Sequence, residues 1–308
     1  TKGWEASITW GDSFTLASKP FNYRIMAGIG DNTSKVTKYD NPNRTLTDPY
    51  EGQQLGEIWG YVVDGYFKTD EEARNYKVDQ SFVNQMINAS ALDNGLHAGD
   101  LKFVDLDGNN KIEQTTSAND RKDMKVIGNS LPRYNYNFGI SADWYGIDFS
   151  VLFQGIGKQN WYPGAETSMF WGPYSRPYAS FIPSDFMSQV WSEENTDAYF
   201  PRPRGYVALG SNRELAVVNT KYLQNLAYCR LKNLSIGYIL PDKWLSKIGF
   251  EKIRVYFSGE NLLTFTKLHS DYIDPEQASA SNSWKTSKSD ANIYPWAKTY
   301  SFGVDITF

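Results

Sequence analysis

The residues best placed by type and spacing to do chemistry lie at Asp105-Leu-Asp-Gly-Asn-Asn-Lys-Ile-Glu113. Side-chain oxygens at positions 1, 3 and 5 (Asp105, Asp107, Asn109), a backbone carbonyl at 7 (Lys111) and an acid at 9 (Glu113) have the spacing with which a loop wraps a calcium ion. Two departures count against a complete site. Asn110 stands at position 6, where the sharp turn favours glycine, and Thr116 stands at position 12, where a bidentate acid belongs. The next acid able to complete the ligand set is Asp120. The segment is either a loop stiffened by Ca²⁺ or Mg²⁺ or an Asx-rich turn satisfied by its own backbone, and in neither case does it catalyse.

A second constellation is aromatic: Trp161, Tyr162, Phe170, Trp171, Tyr174, Tyr178 and Phe181, interleaved with Arg176, Arg202 and Arg204. Flat aromatic faces stack on sugar rings, and Trp, Tyr and Arg also dominate protein interfaces. Trp161, Tyr162, Trp171, Tyr174, Tyr178 and Arg176 are therefore candidates for contact with a substrate or a covering partner, the other reading being that they pack a long loop against itself. Enzyme signatures are missing: there is no nucleophile elbow, no phosphate-binding loop and no zinc-spaced histidine pair. His97 and His269 read as solvated loop imidazoles, and the single cysteine, Cys229, excludes an internal disulfide. A formal net charge of −4 without a basic block argues against nucleic acid. No motif requires a cofactor, and the chain reads as a non-enzyme.

The elements that must carry these groups are strands. In the last dozen residues Tyr300, Phe302, Val304, Ile306 and Phe308 alternate with Ser301, Gly303, Asp305 and Thr307, so one face is wholly apolar and the other polar or small. The same alternation marks residues 3–11, 21–30, 134–144, 147–154 and 253–266. In 221–240 the phase shifts near Lys232-Asn233, as a β-bulge would shift it. Seven antiparallel strands follow. Mean hydropathy is −0.53 and no run of 18 apolar residues occurs, which excludes a transmembrane helix but not a membrane barrel, whose faces average out.

Connections between these strands alternate in length. Short ones (12–20, 145–146, 241–251) take turns with long excursions at about 40–133, 156–219 and 267–296. Inside the first, Thr69 to Asn88 reads as a helix with Thr69 as N-cap and Glu71 and Glu72 in the first turn. Outer-membrane barrels place short turns on one side and long loops on the other, whereas soluble sandwiches have no reason to. An open sheet edge cannot stay in lipid, so seven strands point to the C-terminal portion of a larger transmembrane barrel whose other strands precede residue 1.

At Gly56-Glu-Ile-Trp-Gly-Tyr-Val-Val-Asp-Gly-Tyr-Phe67 the sequence resembles the SusC/RagA family of TonB-dependent outer-membrane transporters. The resemblance continues in order through Asp105–Glu113, Asp120-Arg121, Val126–Tyr134, Leu231–Pro241, Gly259–Leu263 and the closing strand. It implies an all-β fold in which residues 1–308 are the C-terminal part of a 22-stranded barrel, multi-pass in a bacterial outer membrane, with plug domain and signal peptide upstream. It further implies contact with lipid, a SusD-like surface lipoprotein as lid, and import of oligosaccharides or peptides energised by the TonB complex. In such a protein Tyr300, Phe302 and the terminal Phe308 serve as the barrel-assembly signal. The alternative is a secreted carbohydrate-binding or glycan-hydrolysing β protein, which needs two carboxylates at a cleft and leaves the one-sided loops unexplained.

Overall fold

Alternation with period two sets the architecture. The computed structural model describes residues 1–84, 95–175, 182–203, 205–210, 213–245, 249–281, 288–289 and 294–308. Seven long strands, β1 (Lys2–Leu16), β2 (Lys19–Thr33), β3 (Arg133–Trp144), β4 (Ile147–Lys158), β5 (Tyr228–Ile239), β6 (Lys252–Thr266) and β7 (Thr299–Thr307), form one antiparallel sheet. They pair strictly in chain order, so β1 and β7 are its two edges. Because neighbours run antiparallel, the connections leave alternately from the two ends of the sheet. All three short ones lie at one end and all three long ones at the other.

The short end is built by tight turns. Ala17 and Ser18 close β1 onto β2 with φ of 50° and 61°, and Tyr145 and Gly146 close β3 onto β4 with φ of 49° and 84°. Two successive left-handed residues give the turn whose twist matches a hairpin. The first hairpin corrects the expected 12–20 turn: Asp12 to Leu16 and Lys19 to Pro20 are paired strand residues, in register up to Leu16 opposite Lys19. The turn escapes a sequence reading because neither central residue is glycine or asparagine.

Register places most apolar side chains of the seven strands on one face, Met26 and Leu152 being exceptions. Ile8, Ala27, Phe138, Phe153 and Leu231 follow one another across five strands, and the rings of Phe138 and Phe153 stack at 4.8 Å. Many side chains of this face stay exposed to a degree unusual for a folded protein, Ile8 at 66%, Phe138 at 40% and, on β7, Phe302 at 83%, although Leu231 near the long connections is buried. So large an apolar surface must be covered by lipid or another protein.

The opposite face is polar and small. Ser141, Ser150, Ser235, Ser258 and Ser301 form one cross-strand row beside Arg24. In the neighbouring row Asn22 donates to Asp143 at 2.7 Å, while Arg254 reaches over β5 to both oxygens of Asp148 at 2.5 and 3.0 Å and also donates to Asp305 at 3.2 Å. Gly237 makes that reach possible, since a Cβ there would lie 2.1 Å from Asp148 Oδ2 and 2.6 Å from Arg254 Nε. The bulge expected near Lys232-Asn233 is present: register shifts between Leu231 and Asn233 against both neighbours, and Asn261 opposite adopts a left-handed φ of 54°.

The three long connections share a single core above the sheet. Tyr61, Leu101 and Phe103 from the first, Trp161, Phe170, Trp171 and Phe200 from the second, and Leu268, Ile273 and Ala278 from the third belong to one buried cluster. Small sheets knit it: Glu57–Tyr61 pairs with Met124–Asn129, and Gln224-Asn225 pairs with Asn160-Trp161. That second pairing explains why β5 starts at Tyr228 rather than at Lys221. The helix expected over 69–88 is correct at its start and too long. Thr69 Oγ1 accepts from Glu72 N and Glu72 Oε2 from Lys68 N, a capping arrangement, but the helix is Asp70–Arg74. Beyond it Gln80 turns inward, donating to Leu101 O and accepting from Phe103 N, so a strand edge claims the chain instead. Residues 85–88 of the expected helix lie outside the described residues. Among the described residues no helix is long and apolar enough to cross a membrane.

Candidate functional site

The acidic loop is held by its own backbone. Asp105 accepts from Gly108 N and Asn110 N at 2.7 Å each, Asp107 from Asn109 N at 3.1 Å and Asn109 Oδ1 from Lys111 N at 2.8 Å. Asn110 takes the left-handed conformation, φ 62°, that the turn demands, and asparagine tolerates it nearly as well as the glycine it replaces. Burial works the other way on Asp105, yet the amides of Asn110, Gly108 and Asn109 outweigh it and hold its carboxyl below the usual range.

Asp105 and Asp107 are joined by Asp123, and ligand oxygens of the three lie within 4.8 Å of one another. Asp120 does not join them; it closes a small turn on Ser117, and this corrects the expected last ligand. Glu113 is also drawn away, because Lys122 pairs with it at 3.0 Å and Asn109 donates to it at 3.1 Å. Asp123 is fully buried and accepts from Leu106 N at 2.8 Å and Glu113 N at 2.7 Å. Desolvation pushes its carboxyl above the usual range; those two amides oppose, and the charges of Asp107 and Asp105 add to the rise. Sequence spacing could not select it, since it lies far beyond a twelve-residue loop. The donor set, three converging carboxylates of which one is buried, fits a hard divalent cation.

Of the two readings open to the aromatic candidates, the packing one holds for those the structure describes. Trp161, Tyr162, Trp171 and Tyr174 are 0–1% exposed. They present no face to a ligand and form the middle of the shared core, which corrects their candidacy for contact. Their polar atoms are satisfied within the chain: Tyr162 Oη donates to Leu215 O at 2.9 Å, Trp171 Nε1 to Gly164 O at 2.9 Å and Tyr174 Oη to Pro201 O at 2.6 Å. Tyr178, Arg176, Phe181 and Arg204 lie outside the described residues. His269 also departs from expectation: its ring stacks on Tyr199 at 3.5 Å and its Nε2 meets Gln189 Oε1 at 2.7 Å, joining the third connection to the second. Burial, partly offset by Asp271 and reinforced by Lys221, holds its imidazole below the ordinary histidine value.

The third connection is tied to the sheet by charge. Arg230, on the polar face of β5 and 2% exposed, donates to Asp274 at 2.6 Å and Glu276 at 2.8 Å. Lys232 adds a 2.8 Å bond to Glu276. Tyr300 and Phe302 stand on the apolar face, and with Phe308 they are 60%, 83% and 90% exposed.

No family model matches the chain. A TonB-dependent receptor of Formosa agariphila is 26% identical over 326 aligned residues, which cover all of this chain and 28% of that protein. A second TonB-dependent receptor of the same bacterium is 25% identical over 335 residues, covering all of this chain and 30% of its own length. Among solved structures, the RagAB peptide importer in its open-open state superposes with a TM-score of 0.63 at 18% identity, over 99% of this chain and 28% of that one. A structure of the RagAB peptide transporter gives 0.62 at 17%. The chain thus spans under a third of the length of the curated relatives it matches. It has the fold of part of the RagAB importer, and the curated relatives it matches are TonB-dependent receptors, not enzymes.

Proposed function

From a chain similar along its whole length to TonB-dependent receptors of the SusC/RagA type, we propose a part of an outer-membrane barrel transporter that forms pore wall and extracellular mouth. One observation carries the reading: a seven-stranded meander is apolar and exposed on one face, polar on the other, and gathers every long connection at one end. Lipid covers the first face, the second lines the lumen, and the packed connections lie outside the cell. The complete protein imports oligosaccharides or peptides, driven by the TonB complex through a segment outside this chain, with a SusD-like lipoprotein as lid. Asp105, Asp107 and Asp123 hold a Ca²⁺ or Mg²⁺ that stiffens the extracellular mouth, and Tyr300, Phe302 and Phe308 direct insertion of the closing strand.

The test is fractionation and uptake with the full-length protein. It should sediment with outer membranes, require detergent for extraction and migrate faster on gels before boiling than after. Deleting its gene should abolish growth on an oligosaccharide or peptide mixture that the parent strain consumes. Recovery in buffer without detergent would overturn the barrel reading and favour the secreted β protein.

A further inference from the structure

The polar face is hollowed near the end from which the long connections leave. A concavity of about 860 Å³ lies over the first four strands. Its floor is glycine: Gly28 and Gly30 of β2 are in register with Asn137 and Asn135 of β3, Asn137 with Gln154 of β4, and Gly30 also with Glu5 of β1. Glycine there leaves room for the neighbours to lean in. A Cβ on Gly28 would sit 3.2 Å from Asn137 Nδ2, and one on Gly30 would sit 3.7 Å from Glu5 Cγ. Asn32 stands at the rim.

Among the described residues, none of the side-chain amides of Asn32, Asn135, Asn137 and Gln154 has a hydrogen-bond partner. Each offers two donors and an acceptor to whatever fills the hollow. The charges around it are one-signed. Asp31 is neutralised by Arg133, which donates through two nitrogens, and that leaves Glu5 with no cation among the lining residues.

We propose that this hollow is a subsite for an uncharged, hydroxyl- or amide-rich stretch of the transported polymer, and that Glu5 selects against anionic ones. The inference rests on the transport reading above and deepens it. Amides that already bond water exchange it for ligand hydroxyls at little net cost, so the wall confers orientation and choice rather than great affinity. A carboxylate or sulfate ester brought here meets Glu5 with no arginine or lysine among the residues of this chain that line the hollow, and in a narrow lumen like charge is poorly screened. A neutral chain meets no such barrier.

The test uses the full-length transporter in detergent and, in parallel, in cells with intact energisation. Probes are neutral hexasaccharides (malto-, xylo-, manno- and laminari-series), oligogalacturonate, oligoalginate and sulfated galactan oligosaccharides, and peptides of negative and zero net charge. The parent should bind uncharged probes and not their anionic counterparts. Asn137→Ala and Gly28→Leu, which respectively remove an amide and fill the hollow, should each weaken that binding by about tenfold with the melting temperature preserved. Glu5→Lys should admit an anionic probe that the parent refuses.

Preference of the parent for an anionic probe, or binding untouched by Asn137→Ala and Gly28→Leu alike, overturns the subsite and leaves the transport reading standing. Loss of thermal stability without change in binding also overturns it, because the hollow would then seat another part of the same protein. If the parent binds and imports no probe of either charge, the transport reading itself fails.

Discussion

At Gly237 a single absent methyl group lets an ion pair cross an entire strand. Gly237→Val forces Asp148 and Arg254 apart, and we expect a loss of about 2 kcal/mol in detergent-solubilised stability, the penalty of parting partly buried charged groups. Asp148→Ala combined with Gly237→Val should cost little more than either alone, which a double-mutant cycle measures. The acidic loop makes a second prediction. Millimolar Ca²⁺ should raise the melting temperature of the parent, and both Asp105→Ala and Asp123→Asn should remove that rise, whereas Asp120→Asn should retain it. Asp105 and Asp107 were legible because their spacing is local. Asp123 was not, because what brings it in is the burial of its carboxylate under the amides of Leu106 and Glu113, a contact made by tertiary packing.

Among the elements, the strands could be read from the chain and the connections could not. Alternation is a local property, so β3 and β4 were placed to within a few residues, and the bulge in β5 showed itself as a change of phase. The helix after Thr69 was overextended because the apolar residues that follow it, Phe82 and Val83, serve the shared core and not a helical stripe. Its cap is still testable: Thr69→Ala should cost about 1 kcal/mol locally, seen as faster amide exchange over 70–75. The junction of the second and third connections is sensitive to pH. His269 is held below the ordinary value of about 6.5, so the folded form keeps it neutral while an opened form takes up a proton. Its contribution to docking is therefore full at neutral pH and is lost as pH falls through and below the ordinary value. Amide protection factors around Leu268 and Tyr199, corrected for the intrinsic pH dependence of exchange, should fall between pH 7 and 5 in the parent, and His269→Gln should flatten that dependence.

For the whole molecule, the exposed apolar face and the buried aromatics tell opposite stories about residues of the same type. Phe302 is greasy and exposed, Trp161 greasy and hidden, and composition alone cannot separate them. Alternation located the first group; only the packing of three distant connections reveals the second. Removing Phe308 should reduce the amount of protein assembled in the outer membrane without changing the melting temperature of what does assemble, since that residue lies beyond the last paired position. The shared core also has a mechanical meaning. A meander of hydrogen-bonded strands yields most easily by slippage of one strand along its neighbour, by two residues at a time if the faces are to be kept. Here the connections of β2 to β3, of β4 to β5 and of β6 to β7 end in one interdigitated mass, so slippage at those seams would have to drag Tyr199 off the His269 ring and break the bond between the hydroxyls of Tyr66 and Tyr222. A pull applied from beneath the sheet, along the strands, is therefore met as a load shared across all three seams, and the stiffness of the wall is set above the membrane and not within it.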